Sequence, residues 1–264
     1  MTVDLPPASS VFVVFRAEER EDHLVAVNEA PAEQGGRAIE VASLQGDSVP
    51  VRVSRPGTYR VESARGRRGE IAVAEVPADQ PVEGPWRVTF PKNLGAPDEI
   101  VMETLADWTG HTDPGVRYFS GTARYHTRFM LPEALAAAGS PVILDLGVAK
   151  EVAEVTVNGR KAGVLWQAPA QLDLSGFVQA GENQLEISVT NLWNNRLVGA
   201  LQDPSQAAIT RTNLKDRFTA ASPLLPSGLL GPVTLRFPVA ATIPLESPSG
   251  TDVAAPPAPD RPKD

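Results

Sequence analysis

Apolar residues in this sequence recur in short runs with a period of two, and Pro or Gly interrupts nearly every run before it grows long. Successive side chains of a strand point to opposite faces, so such a pattern dictates half-buried strands joined by turns. The 25 prolines and 21 glycines lie between the runs and not in one tract, which disfavours long helices. A chain of 264 residues is long enough for two domains of roughly 100–200 residues each.

The periodicity assigns residues 1–80 to a small β module. Val11-Phe12-Val13-Val14-Phe15 is a continuous apolar run, as a strand covered on both faces would be. Val49, Val51 and Val53 alternate with Pro50, Arg52 and Ser54. Tyr59 and Val61 resume the period after the Pro56-Gly57 turn, and Ile71 and Val73 follow a basic tip at Arg65-Gly66-Arg67-Arg68 that reads as solvated. A meander of about five strands is expected. Pro77-Ala78-Asp79-Gln80-Pro81 suits a linker.

Residues 81–240 resume the strand pattern. Trp86, Val88 and Phe90 form one face; Ala123, Tyr125, Thr127 and Phe129 form another, backed by Arg124, His126 and Arg128. Val142, Leu144 and Leu146 follow, and Val155 and Val157 lead into Asn158-Gly159, the pair a type I′ hairpin turn demands. Leu185, Ile187 and Val189, then Val233, Leu235 and Phe237, complete about eight strands, which predicts a jelly-roll β-sandwich. The one helical candidate, Pro132 to Ala138, is at most two turns long. Leu197 to Gly231 is long and poorly periodic, as functional or mobile loops are. Residues 241–264 are rich in Pro and Ala and are expected to form a disordered tail. The fold class is therefore all-β: a small N-terminal β module followed by a sandwich.

Composition excludes several functions. A net charge of −8 argues against nucleic acid, whose phosphates need clustered Lys and Arg. The absence of cysteine removes disulfides, thiolate metal sites and Cys nucleophiles. No stretch approaches the ~20 apolar residues of a membrane span, so no membrane partner is expected. The N-terminus lacks a basic region before an apolar one, so any export address is expected to lie outside this chain.

The residue types that carry chemistry are scattered. His23, His111 and His126 lie on different predicted elements, and a zinc site needs three or four convergent ligands. Pro226-Ser227-Gly228 lacks the strand-to-helix setting of a nucleophile elbow. Glycoside hydrolysis needs two carboxyl groups across the scissile bond, and Asp107, Asp113, Asp145 and Asp173 form no pair that sequence can identify. No cofactor is expected. Loops of this kind offer oxygens to a structural calcium, but no EF-hand-like spacing marks one.

The aromatics say more. Trp86 fits an inward strand position, whereas Trp108, Trp166 and Trp193 stand near strand ends beside polar residues. Sugar C–H faces pack on aromatic rings while sugar hydroxyls need polar partners, so Trp108, Trp166, Trp193, Asn191 and Arg196 are candidate carbohydrate-binding residues. The competing reading is that the rings cap the core and that Asn191 and Arg196 tie loops to strand ends.

Gly84-Pro85-Trp86-Arg87-Val88-Thr89-Phe90, Leu105-Ala106-Asp107-Trp108 and Tyr118 to Tyr125 resemble the sugar-binding, galactose-binding-like domain of glycoside hydrolase family two. Val155 to Gly159 and Gly163-Val164-Leu165-Trp166 match the same domain's central hairpin. Asn191 to Leu197 and Pro226 to Val233, with Ser10 to Arg16 upstream, resemble more narrowly the C-terminal end of α-L-rhamnosidases of glycoside hydrolase family 106. The resemblance implies a periplasmic or extracellular setting, with carbohydrate or a glycosidase catalytic domain as partner. It transfers no catalytic residue, because the family's catalytic barrel precedes these modules. A non-catalytic module, one part of a split glycosidase whose long loop completes the active site, and a purely structural interaction module all remain open at this point.

Overall fold

The computed structural model describes residues 22–30, 38–136, 140–213 and 217–247; the run Val11 to Phe15 lies outside them. Those before residue 76 and after residue 240 form one compact unit, and 76–240 form a second.

The first unit contains β1 (Leu24–Ala30), β2 (Ile39–Val41), β3 (Ser48–Val53), β4 (Gly57–Ser63) and β5 (Arg68–Val73). Strands β1, β4 and β5 make an antiparallel sheet in that order. Alternation on β3 buries Val49, Val51 and Val53, while on β4 it buries Tyr59 and Val61. Beside β3 and β2 lies the late strand Val239–Pro244, where the sequence reading already placed a tail. Its Ile243 is fully enclosed and Leu245 just beyond it is buried, so apolar contact holds the segment. In the basic tip Arg65 and Arg68 are exposed as expected, whereas the Arg67 side chain is largely buried and pairs with Asp22 and Asp47, each at 2.5 Å.

The second unit is a β-sandwich. It comprises β6 (Gln80–Pro81), β7 (Trp86–Thr89), β8 (Glu99–Met102), β9 (Thr122–Leu131), β10 (Ile143–Asp145), β11 (Val148–Lys150), β12 (Val152–Val157), β13 (Arg160–Leu165), β14 (Gln171–Asp173), β15 (Gly181–Thr190), β16 (Gly228–Gly231) and β17 (Thr234–Arg236). One sheet has the order β13-β12-β15-β9-β7-β8 and a second the order β14-β10-β17-β6, while β11 pairs with β16. Gln80 and Pro81, at the end of the expected linker, pair with β17.

Register follows from alternation. Tyr125 lies opposite Ile187, and Ile187 opposite Val155, so one inward row crosses three strands. These meet Leu144, Leu174, Val233 and Leu235 in a single core that also encloses Trp86, Phe90 and Trp108. At Asn158 and Gly159 the backbone takes φ of +52° and +75°, the double left-handed turn that the pair predicts. The Asn158 amide then ties this hairpin to its neighbours: Nδ2 donates to Phe177 O and Asn183 Oδ1, and Oδ1 accepts from Gln184 N.

Among the described residues the α-helices are α1 (Pro114–Arg117), α2 (Asn194–Gln202) and α3 (Pro204–Ile209). Asp113 caps α1 and Asp203 caps α3, each followed by Pro at the first helical position. Within the expected helix Glu133–Leu135 forms a 3-10 turn, and residues 137 and 138 lie outside the described residues.

Candidate functional site

The five residues singled out by sequence separate into two groups. Trp108 is only 1% exposed. Its indole lies parallel to the Tyr125 ring and meets Phe90 and Phe119 at an angle. It is a core residue and presents no face to a sugar. The polarity of its neighbour Asp107 was misleading, because that carboxylate accepts from Thr109 N and from Ser227 N and so fastens backbone.

Asn191 and Arg196 are buried as well. Asn191 Nδ2 donates to Phe119 O at 2.8 Å and Ser227 Oγ at 3.2 Å, while its Oδ1 accepts from Gly121 N at 2.9 Å. That amide is committed on both sides. Arg196 donates to Gln206 Oε1 at 2.8 Å and to the Leu94 carbonyl, and burial pushes its guanidinium pKa down from the ordinary value. Both side chains brace loops. Neither is free for a ligand.

Trp166 and Trp193 differ sharply, at 71% and 67% exposed. Trp166 follows β13 and overlooks a groove of about 430 Å³. Val148, Ala149, Leu165 and Ala170 supply its apolar surface, and Lys150, Glu151 and Gln167 bring the polar groups. Mostly apolar linings with a few polar groups mark small-molecule sites in the ~300–1,000 Å³ range. An exposed indole on a groove whose lining includes a lysine, a glutamate and a glutamine has the residue types that stack on a ring and answer its hydroxyls. Sequence placed Gln167 beside Trp166 but did not single out Lys150 or Glu151, which the pairing of β12 with β13 (Ala153 opposite Leu165) brings to the same end of the hairpin.

Trp193 stands in a different setting, a groove of about 570 Å³ shared with Leu197 and Arg211. A third groove, of about 490 Å³, lies on the outer face of the six-stranded sheet and includes Arg87, His126, Arg128, Gln184 and Glu186. Its charges are largely satisfied across strands: Arg87 pairs with Glu99 at 3.1 Å and Arg128 with Glu182 at 3.2 Å. Burial and the nearby Arg87 lower the His126 pKa, against the opposing pull of Glu186 at 3.4 Å.

The carboxylates weighed for catalysis are occupied by structural work. Asp113 Oδ1 accepts from Gly115 N at 2.7 Å; Asp145 accepts from Gly147 N, Gln171 Nε2 and Arg236 Nη2; Asp173 accepts from Ser175 N. Among the described residues no cluster of three or more His, Asp or Glu is placed to hold a metal ion.

Against known proteins, 79% of this chain superposes on the rhamnosidase of Novosphingobium sp. PP1Y, with a TM-score of 0.56 and 27% identity. A protein of Formosa agariphila that carries the provisional name β-glucuronidase is 40% identical over 144 residues, 54% of this chain. The chain is similar to parts of glycoside hydrolases. It spans 24% of the rhamnosidase and 12% of the Formosa protein. A β-D-glucuronidase of Dictyoglomus thermophilum aligns with 65% of this chain and 29% of its own at 19% identity, with a TM-score of 0.44. No protein-family model matches.

Proposed function

We propose that this chain is a non-catalytic, carbohydrate-associated module of an α-L-rhamnosidase-like glycoside hydrolase, with a galactose-binding-like sandwich as its larger unit. The observation that carries the reading is the likeness to a rhamnosidase over most of this chain and only a quarter of that enzyme. The bonding of Asp107, Asp113, Asp145 and Asp173 supports it, since all four carboxylates hold main chain or neighbouring side chains. In this reading the Trp166 groove takes the sugar. The indole supplies the stacking face, and Lys150, Glu151 and Gln167 bond the hydroxyls.

Calorimetric and fluorescence titration of the full chain with rhamnose-containing oligosaccharides tests this. Saturable binding with a tryptophan signal is expected, weakened about ten-fold or more in Trp166→Ala. Neither heat nor fluorescence change would remove carbohydrate from the reading. Release of p-nitrophenol from an aryl α-L-rhamnoside by the purified chain would overturn its non-catalytic part.

A further inference from the structure

The surroundings of Trp193 are unlike those of Trp166. Between residues 192 and 213 the only charged side chains are Arg196, Asp203 and Arg211, and Arg196 is buried. Large apolar residues are exposed here, Leu192 and Trp193 before α2, Leu201 in its last turn and Ile209 at the end of α3, with Leu94 and Leu225 beside them, while Gln202 and Arg211 are the exposed large polar residues of the segment. Hydrogen bonds tie the segments before, beside and after α2 to one another. Arg196 donates to the Leu94 carbonyl, Asn195 exchanges bonds with Leu225 N and O at 2.8 and 2.7 Å, and the Leu192 carbonyl accepts from Ser120 Oγ at 3.0 Å. From behind, Tyr118 packs at Gly199 and donates to Gln202 Oε1 at 2.8 Å, fixing α2 on the sandwich.

A largely apolar surface whose protruding tryptophan shares a groove with one exposed arginine matches the core of a protein interface, where Trp and Arg are enriched and other charges are few. Leu192, Leu201 and Ile209 have little to offer sugar hydroxyls, which separates this face from the Trp166 groove. Its occupant follows from length. The likeness covers 79% of this chain but 24% of the rhamnosidase, so such a module accompanies a much larger body. We infer that the α2–α3 face, centred on Trp193, docks against the catalytic body of a rhamnosidase-like glycosidase; this rests on the functional reading above. Because the buried amides and guanidinium pre-set the surface, docking requires little ordering of side chains.

The probe is the Novosphingobium rhamnosidase with the quarter that matches this chain deleted, immobilised and titrated with the full chain. Binding is expected. Trp193→Ala and Ile209→Arg should each weaken it about ten-fold or more, and Trp166→Ala should leave it unchanged. Absence of binding up to the solubility limit would overturn the inference, as would equal binding by all variants. A dimer of this chain alone, dissociated by Trp193→Ala, would assign the face to a second copy and also overturn it. If the truncated body does not fold, the same substitutions go into a chimera carrying this chain in place of the deleted quarter. There they must lower the Tm of the catalytic body while leaving the isolated chain's Tm unchanged, or the inference fails. Sugar titration reports separately on Trp166, so loss of one result leaves the other legible.

Discussion

The indole of Trp108 lies 3° from parallel with the phenol ring of Tyr125, their centroids 6.2 Å apart, and Gly228 closes over the edge of the pair. Gly228 has φ of +93°, and a Cβ there would stand 2.7 Å from both Trp108 Cε2 and Tyr125 Oη. Gly228→Ala therefore combines left-handed strain with a collision in a closed core. A loss of about 2–4 kcal/mol is expected in urea unfolding.

Tyr125 Oη accepts the Leu229 amide at 2.9 Å in a buried setting. Tyr125→Phe keeps the ring and orphans that N–H. Stability should fall by about 1–3 kcal/mol, with the near-ultraviolet dichroism of the aromatic cluster retained.

Asn158→Gly and Asn158→Ala separate two roles of one residue. Glycine keeps the φ of +52° without strain and loses the amide's hydrogen bonds, whereas alanine loses both. Both variants should unfold at lower denaturant than the parent, with alanine about 1 kcal/mol below glycine.

His126 has a lowered pKa in the folded protein, chiefly from burial and then from Arg87. The unfolded chain therefore takes up the proton more readily, so this group's contribution is complete above its unperturbed value of 6.5 and is lost as pH falls below it. Unfolding midpoints measured from pH 8 to pH 5 should decline less steeply for His126→Gln than for the parent.

The sandwich was legible where a strand is wet on one side and dry on the other. On β9, Ala123, Tyr125 and Phe129 are buried while Arg124 and Arg128 are exposed, as the alternation requires. Asn158-Gly159 was legible because few other residues accept that turn. Helices α2 and α3 were not, since Asn, Gln, Ala and Gly dominate them and leave only a thin apolar stripe over a short span.

Of the site, Trp166 could be named in advance but its groove could not. Lys150 and Glu151 stand at the open end of the Asn158-Gly159 hairpin, whose register shifts between Val155 and Thr156, a bulge that local alternation does not encode. Trp108 failed as a candidate for a related reason. A polar residue next to a tryptophan looks the same in sequence whether it faces a ligand or caps a turn, and Asp107 caps a turn.

The strand Val239–Pro244 completes a sheet that Ile39–Val41 and Ser48–Val53 begin. A ribosome makes the whole sandwich after Ser48–Val53 and before it delivers this strand. The sheet therefore waits unfinished while the sandwich is made, and loss of Val239–Pro244 would damage strands that were made long before it.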